Sequence, residues 1–283
     1  MSNTTSKTSF LGIIGTPILH TLSPVMHSFM AEKTGIDASY LAFDVKDEEF
    51  ADAIEGLKAL GGKGFNITAP YKIKVMDYLD RVSSDAEIMN SVNTIVNENG
   101  VWHGYNTDGD GYCESLILEG EEISGKDIVI MGAGGSARSI SYKLAKCGAN
   151  SISMVSRSRE KVQIIGDMIE KHTNTCFSDS LDNTKKYDIV INTTPVGMHS
   201  LENKNPCDFM DIINENTVCS DIIYNPGKTL FLKESEEKGA RIHNGLGMLI
   251  MQGIFAFERF FSVTLDKKAM YGEVSELLKN YRI

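Results

Sequence analysis

At 283 residues the chain can form one large or two medium domains, each with its own core. Its 42% apolar and 23% charged residues are ordinary for a soluble globular protein, and a net charge of −10 argues against non-specific binding to nucleic acid or anionic membranes. Cys113, Cys147, Cys176, Cys207 and Cys219 are scattered without a C-x-x-C pair, so they read as reduced thiols of a cytoplasmic protein. The polar residues 1–8 lack the apolar core of a signal peptide. The most apolar run, residues 249–261, is interrupted by Gln252, Glu258 and Arg259 and does not read as a bilayer span.

Residues 10–15 predict a short buried strand ending on Gly15. After a loop, Ser23 reads as a helix N-cap with Pro24 at the first helical position, and the helix turns Val25, Met26, Phe29 and Met30 inward. Thr21 and Ser23, two hydroxyls at a strand-to-helix junction, would equally suit a ligand carboxylate; pattern alone favours the cap. His20 and His27 match no metal-ligand spacing and have no Cys or acidic cluster nearby, so no metal site is expected.

Residues 40–45 predict the next strand, and residues 47–60 an amphipathic helix with Phe50, Ala53, Ile54 and Leu57 on one face. In residues 64–72 an extended run sets Asn66 and Thr68 on one side and is stopped by Pro70. Lys72 follows at the start of a helix running through Met76 and Leu79. An amide, a hydroxyl and an ammonium at a strand tip suit a polar small molecule, although a lone lysine there would usually be solvated. The β-α-β-α-β order predicts a mostly parallel, covered sheet. Residues 91–96 and 101–105 read as a hairpin turning at Asn97-Glu98-Asn99-Gly100. Beyond it, Asn106-Thr107-Asp108-Gly109 taken alone reads as an Asx turn or cap, and Asp110 as a solvated carboxylate.

Residues 126–131 form a buried strand that runs into Gly132-Ala133-Gly134-Gly135-Ser136-Ala137-Arg138 and then a helix. Gly132, Gly134 and Ala137 fit the dinucleotide fingerprint G-x-G-x-x-[G/A], whose glycines let backbone N–H groups reach a pyrophosphate at the helix N-terminus. The following strand, residues 151–155, ends in Ser156-Arg157-Ser158-Arg159-Glu160-Lys161 instead of the acidic residue typical of NAD enzymes. Hydroxyls and cations suit a 2′-phosphate, so NADP is favoured over NAD. Strands over residues 188–194 and 217–224 end in polar residues, and the loops beyond them should line the nucleotide cleft. A long apolar helix carrying Gln252 and an amphipathic helix over residues 267–281 close the chain. The expected fold class is α/β with two domains: an N-terminal substrate-binding domain, residues 1–108, with a mostly parallel sheet, and a Rossmann-like NADP-binding domain, residues 109–245. The C-terminal helices, residues 246–283, return to the first domain.

Together these stretches resemble the shikimate/quinate dehydrogenase family along essentially the whole chain. Gly15-Thr16-Pro17 with His20-Thr21-Leu22-Ser23-Pro24, then Asn66-Ile67-Thr68-Ala69-Pro70-Tyr71-Lys72, then Asn93-Thr94, Asn106-Thr107-Asp108-Gly109 and Gly245-Leu246-Gly247-Met248 through Gln252 are similar to the family's motifs and in its order. The resemblance implies NADP-dependent reduction of 3-dehydroshikimate to shikimate in aromatic amino-acid biosynthesis, with Lys72 and Asp108 as the catalytic pair. It implies that Thr21, Ser23 and Tyr224 hold the substrate carboxylate, and that Thr68, Asn93, Asp108 and Gln252 hold ring hydroxyls. Gly132, Ala133, Gly134, Gly135 and Ser136 would bind pyrophosphate, Ser156, Arg157, Ser158 and Lys161 the 2′-phosphate, and Ile222 and Gly245 would lie by the nicotinamide. The implied partner is this small molecule, without nucleic acid or membrane, in a monomer or homodimer. Two departures stand out: Thr21 replaces a serine common in the family, which keeps quinate open as a substrate, and Ser156-Arg157-Ser158 keeps only the arginine of the usual Asn-Arg-Thr. A non-catalytic NADP sensor is a further alternative, weakened by the presence of Lys72 and Asp108.

Overall fold

The computed structural model describes residues 4–18, 20–182, 184–279 and 281; Leu19 and the first three residues of the polar N-terminus lie outside them. The chain divides into two compact units, residues 1–107 with 252–283, and residues 108–251. The first contains β1 (Ser9–Gly15), α1 (Ser23–Thr34), β2 (Ala38–Asp44), α2 (Phe50–Ala59), β3 (Gly64–Ile67), β4 (Arg81–Val82), α3 (Ser84–Met89), β5 (Thr94–Glu98) and β6 (Val101–Tyr105). Its sheet runs β2-β1-β3-β5-β6-β4. The predicted β-α-β-α-β segment gives three parallel strands, and the hairpin makes β5 antiparallel to both neighbours. At the hairpin turn Asn99 and Gly100 both take positive φ, 58° and 91°, as the tight I′ turn requires.

The second unit contains α4 (Asp108–Leu118), β7 (Asp127–Met131), α5 (Gly135–Lys146), β8 (Ser151–Val155), α6 (Arg159–His172), β9 (Cys176–Ser178), β10 (Ile189–Asn192), β11 (Val218–Asp221), α7 (Leu230–Glu237) and β12 (Arg241–His243), with the opening turns of α8 (Gly245–Phe261). Its sheet is parallel throughout, in the order β12-β11-β10-β7-β8-β9. That is the doubly wound order, with the direction of winding reversing between β7 and β10, where ligands of open α/β sheets bind. The four inner strands β7, β8, β10 and β11 are almost wholly buried, as sequence runs such as Ile128-Val129-Ile130 require. The rest of α8 and α9 (Lys267–Lys279) return to the first unit, where Phe257 and Phe260 are fully buried and Lys33 of α1 pairs with Glu273 of α9.

Three local expectations change. The helix expected after Lys72 is only a 3-10 turn, Lys74–Tyr78. The Lys72 carbonyl, which a full α-helix would give to Met76, accepts from Val92 N–H at 2.8 Å instead, and Met76 N–H turns to Ile73. Ser23 is not the cap of α1 but its first residue: Leu22 occupies the cap position in helical conformation, with no side-chain cap hydrogen bond. Asp110 is not merely solvated but ion-paired with Lys143, because α4 packs tightly on α5; a Cβ at Gly109 would stand 2.5 Å from the Ser139 carbonyl oxygen.

His27, read only as an unsuitable metal ligand, is a core residue of α1. Its ring stacks on Tyr40 at 4.2 Å and 1° and sits near Phe257 and Phe260. Among the described residues neither ring nitrogen has a hydrogen-bond partner, and burial lowers its pKa from 6.5 to about 3. Below pH 6.5 the unfolded chain therefore binds a proton that the native chain refuses, so stability falls as pH falls, by about 1.4 kcal/mol per unit at most. His27→Phe should abolish that slope. Urea unfolding at pH 7 and pH 5 is expected to show the variant gaining about 2 kcal/mol on the wild type between the two; an unchanged difference would mean that water or a partner reaches the imidazole.

Candidate active site

In the first unit, polar side chains gather at the strand ends. Thr21 Oγ1 donates to Ser23 Oγ at 3.1 Å and accepts from Ser23 N–H at 3.2 Å, so the two hydroxyls form one local pair before α1. At the end of β3, Asn66 is buried: its Oδ1 accepts from the Tyr40 hydroxyl at 2.7 Å and its Nδ2 donates to Thr94 Oγ1 at 3.0 Å. Thr68 N–H continues the sheet by donating to Ile14 O at 2.9 Å, and Thr68 O accepts from Tyr71 N–H at 2.9 Å. That turn carries Tyr71 into the core, stacked on Phe50 at 4.2 Å, and leaves Lys72 half-buried with its carbonyl fixed by Val92. The next residue, Asn93, is buried, and its Oδ1 accepts from Thr107 N–H at 2.8 Å. The backbone is thus pinned from Lys72 through Val92 and Asn93 to Thr107, the residue before Asp108. Gln252, on α8, is half-buried in the same unit.

Asp108 opens α4 and is 5% exposed. Further along the second unit, Gly132 directly follows β7 at φ +106°, and a Cβ there would stand 2.5 Å from Thr193 Oγ1, so this position demands glycine. Gly134 and Gly135 differ: a Cβ on either meets nothing within 4 Å. Gly134 occupies the cap position of α5 and supplies no side-chain cap to the first-turn N–H groups. With Ala133 and Ser136 these residues fit a dinucleotide pyrophosphate, by open room and uncapped donors.

Beyond β8, Ser156 Oγ accepts from Ser158 N–H at 3.4 Å, and Arg157 and Lys161 are exposed. A cavity of about 410 Å³ opens there, lined by Val155, Ser156, Arg159, Asp179, Leu181 and Phe209 among others. Of the polar run 156–161, Ser156 and Arg159 line it. The sequence singled out neither Asp179 nor the next feature, Asp221.

Asp221 is fully buried at the end of β11. Its Oδ2 accepts from Asn192 Nδ2 at 3.0 Å and Thr229 Oγ1 at 2.8 Å, and its Oδ1 from Ile223 N–H at 3.0 Å. This knot joins β10, β11 and the cap of α7 and shapes the turn carrying Ile222 and half-buried Tyr224. Gly245 packs against that turn: its N–H donates to Ile223 O at 3.1 Å, and a Cβ would fall 2.0 Å from Ile222 O. An acid closing the strand Val218-Cys219-Ser220 was the available sequence signal.

The fold and site define a two-unit, nicotinamide-dependent oxidoreductase. A family model of the shikimate dehydrogenase substrate binding domain matches residues 13–95, and one of shikimate / quinate 5-dehydrogenase matches residues 116–224. The shikimate dehydrogenase (NADP(+)) of Methanococcus aeolicus is 43% identical, with 96% of this chain and 99% of the relative covered. Among solved structures, a shikimate dehydrogenase in complex with NADP+ is 38% identical with a TM-score of 0.88, 98% of each chain being covered. The Listeria monocytogenes shikimate 5-dehydrogenase in complex with shikimate and NAD is 34% identical with a TM-score of 0.88, covering 97% of this chain and 99% of that one. The chain belongs to the shikimate/quinate dehydrogenase family.

Burial raises the Asp221 carboxyl from 3.8 to about 6, against the lowering effect of its three donors. The native state therefore keeps a proton between these values that the unfolded state has lost, and stability falls as pH rises through that window, opposite to the effect of His27. A ¹³C-detected titration of the Asp221 carboxyl should show a midpoint near 6; a midpoint near that of an exposed aspartate, about 3.9, would mean that solvent reaches it.

Proposed function

We propose that this protein catalyses the reversible, NADP-dependent reduction of 3-dehydroshikimate to shikimate. The observation that carries the reading is the pinned segment from Thr68 through Lys72, Val92 and Asn93 to Thr107, which gives fixed backbone to the two residues assigned the chemistry. Bound NADPH would supply the hydride for the ring carbonyl. The chain's own part is then electrostatic and protonic. The Lys72 ammonium stabilises the oxyanion and gives it a proton in reduction; in oxidation the neutral amine takes that proton back. Asp108 is assigned as its partner in this transfer and as an acceptor for a ring hydroxyl.

Thr21 and Ser23, with Tyr224, are assigned to the substrate carboxylate. Thr21 and Ser23 support this because their hydroxyls already stand together, Thr21 Oγ1 donating to Ser23 Oγ at 3.1 Å. Thr68, Asn93 and Gln252 are assigned to ring hydroxyls. On the nucleotide, Gly132, Ala133, Gly134, Gly135 and Ser136 take the pyrophosphate and Ser156, Arg157, Ser158 and Lys161 the 2′-phosphate, with Arg159 added from the cavity lining. Ile222 and Gly245 flank the nicotinamide. The substrate-handling part is residues 1–108 completed by 246–283, and the NADP-binding part is residues 109–245. The five cysteines are free thiols, which supports a cytoplasmic location. No helix among the described residues is long and apolar enough to cross a membrane.

A second reading, activity on quinate or with NAD, draws on Thr21, on the family model's naming of both substrates and on the NAD bound to the Listeria relative. Initial rates of nucleotide reduction with shikimate and quinate, each against NADP and NAD, separate the two. Shikimate with NADP is expected to dominate; dominance of another pair overturns the specificity. Lys72→Ala is expected to lower kcat about 10²–10⁴-fold with nucleotide Kd unchanged. Wild-type turnover in that variant would remove Lys72 from the mechanism.

A further inference from the structure

Four buried side chains of the second unit form a hydrogen-bonded ring that none of these roles uses. Ser115 Oγ donates to the Tyr112 carbonyl at 2.7 Å. A hydroxyl has one proton, so towards His243 Nε2, 3.1 Å away, Ser115 must accept, and Nε2 carries the hydrogen. His243 Nδ1 is then bare and accepts from Ser220 Oγ at 2.8 Å. Ser220 Oγ in turn accepts from the Tyr112 hydroxyl at 2.8 Å. The circuit leaves Tyr112 by its hydroxyl and returns to its carbonyl, and every proton in it is used once. Tyr112, Ser115 and Ser220 are 0% exposed and His243 is 2% exposed. Burial keeps the imidazole neutral, with its pKa lowered to about 4, as this tautomer requires.

The ring fastens α4, through Tyr112 and Ser115, to β11 and β12. Tyr112 lies one helical turn after Asp108 on the same face. Ser220 stands two residues before Ile222, and His243 two residues before Gly245. Beyond those strands the chain has no slack, because Gly245 lies directly against the Ile222 carbonyl.

We propose that His243 is a positioning residue: through its ring with Tyr112, Ser115 and Ser220 it sets the start of α4, and so the Asp108 carboxylate, in register with Ile222 and Gly245. This inference rests on the assignment of Asp108, Ile222 and Gly245 made above. A merely structural ring would matter equally whatever residue stood at 108, and a positioning ring would not.

The test is a double-mutant cycle under single-turnover conditions, so that product release does not hide the chemical step. His243→Leu is expected to slow hydride transfer about tenfold or more, since small misplacements of a reacting group are costly, while NADP Kd stays within about twofold. In an Asp108→Asn background the same substitution is expected to cost less than about twofold. Equal losses in both backgrounds, or no loss in the wild-type background, overturn the inference. If Asp108→Asn alone keeps the wild-type rate, the assignment of Asp108 fails first, and the inference falls with it. Should His243→Leu not fold, Tyr112→Phe, which removes one O–H from the ring and keeps the aromatic carbons, carries the same cycle with an expected loss of about threefold, in keeping with one neutral hydrogen bond.

Discussion

The constraint on which the first unit depends is the need to satisfy buried amides at the ends of β3 and β5. Asn66 and Asn93 are each about 95% or more buried, and a buried amide left without partners costs about 1–3 kcal/mol. The structure meets that demand by tying the two together: Asn66 Nδ2 donates to the Asn93 carbonyl at 3.2 Å, and Thr94 Oγ1 links both side chains. Tyr40 and Thr107 complete the shell. The same bonds that remove the penalty fix the backbone on either side of Lys72 and ahead of Asp108. Stability and preorganisation are here one set of contacts, so loosening the amides would move the groups assigned to chemistry.

How much of this was legible depends on how local the cause is. The fingerprint after β7 could be read because its logic is contained in seven residues: a strand, a glycine at positive φ, open glycines and a helix. The hairpin at Asn99-Gly100 could be read for the same reason. The short turn after Lys72 could not, because the atom that stops the helix is Val92 N–H, twenty residues away. Ser23 followed good capping rules, yet Leu22 took the cap position. Asp110 looked solvated because its partner, Lys143, lies on another helix. Asp221 and His243 stood in plain view as the last residues of their strands, but only pairing through space says what each is for.

The two buried histidines show why a shifted pKa by itself assigns nothing. Both are held neutral by burial. His27 is a flat ring stacked on another flat ring, and its nitrogens make no bond among the described residues. Its contribution is shape and apolar contact, which a phenylalanine would supply. His243 uses one nitrogen as donor and the other as acceptor, and no apolar ring can do that. The same titration behaviour thus goes with packing in one unit and with register between elements in the other.

Charge follows a similar rule of place over total. The chain carries −10 overall, yet the end of β8 sets Arg157, Arg159 and Lys161 within five residues, with Glu160 among them and Asp179 and Asp208 lining the adjoining cavity. A Debye length of about 8 Å at physiological salt means that a phosphate at this edge would feel these nearby charges, cations and carboxylates alike, and little of the remaining surface. An NAD-selective strand tip would place a carboxylate here to accept from a ribose hydroxyl, and that carboxylate would repel a 2′-phosphate. Ser156 instead offers a hydroxyl, neutral towards either nucleotide, with the positive charge set just beyond it. In the proposed reading, discrimination at this tip would come from attraction of the added phosphate by Arg157, Arg159 and Lys161. Such a site would prefer NADP while still admitting NAD, in keeping with a family whose members have been captured with either nucleotide.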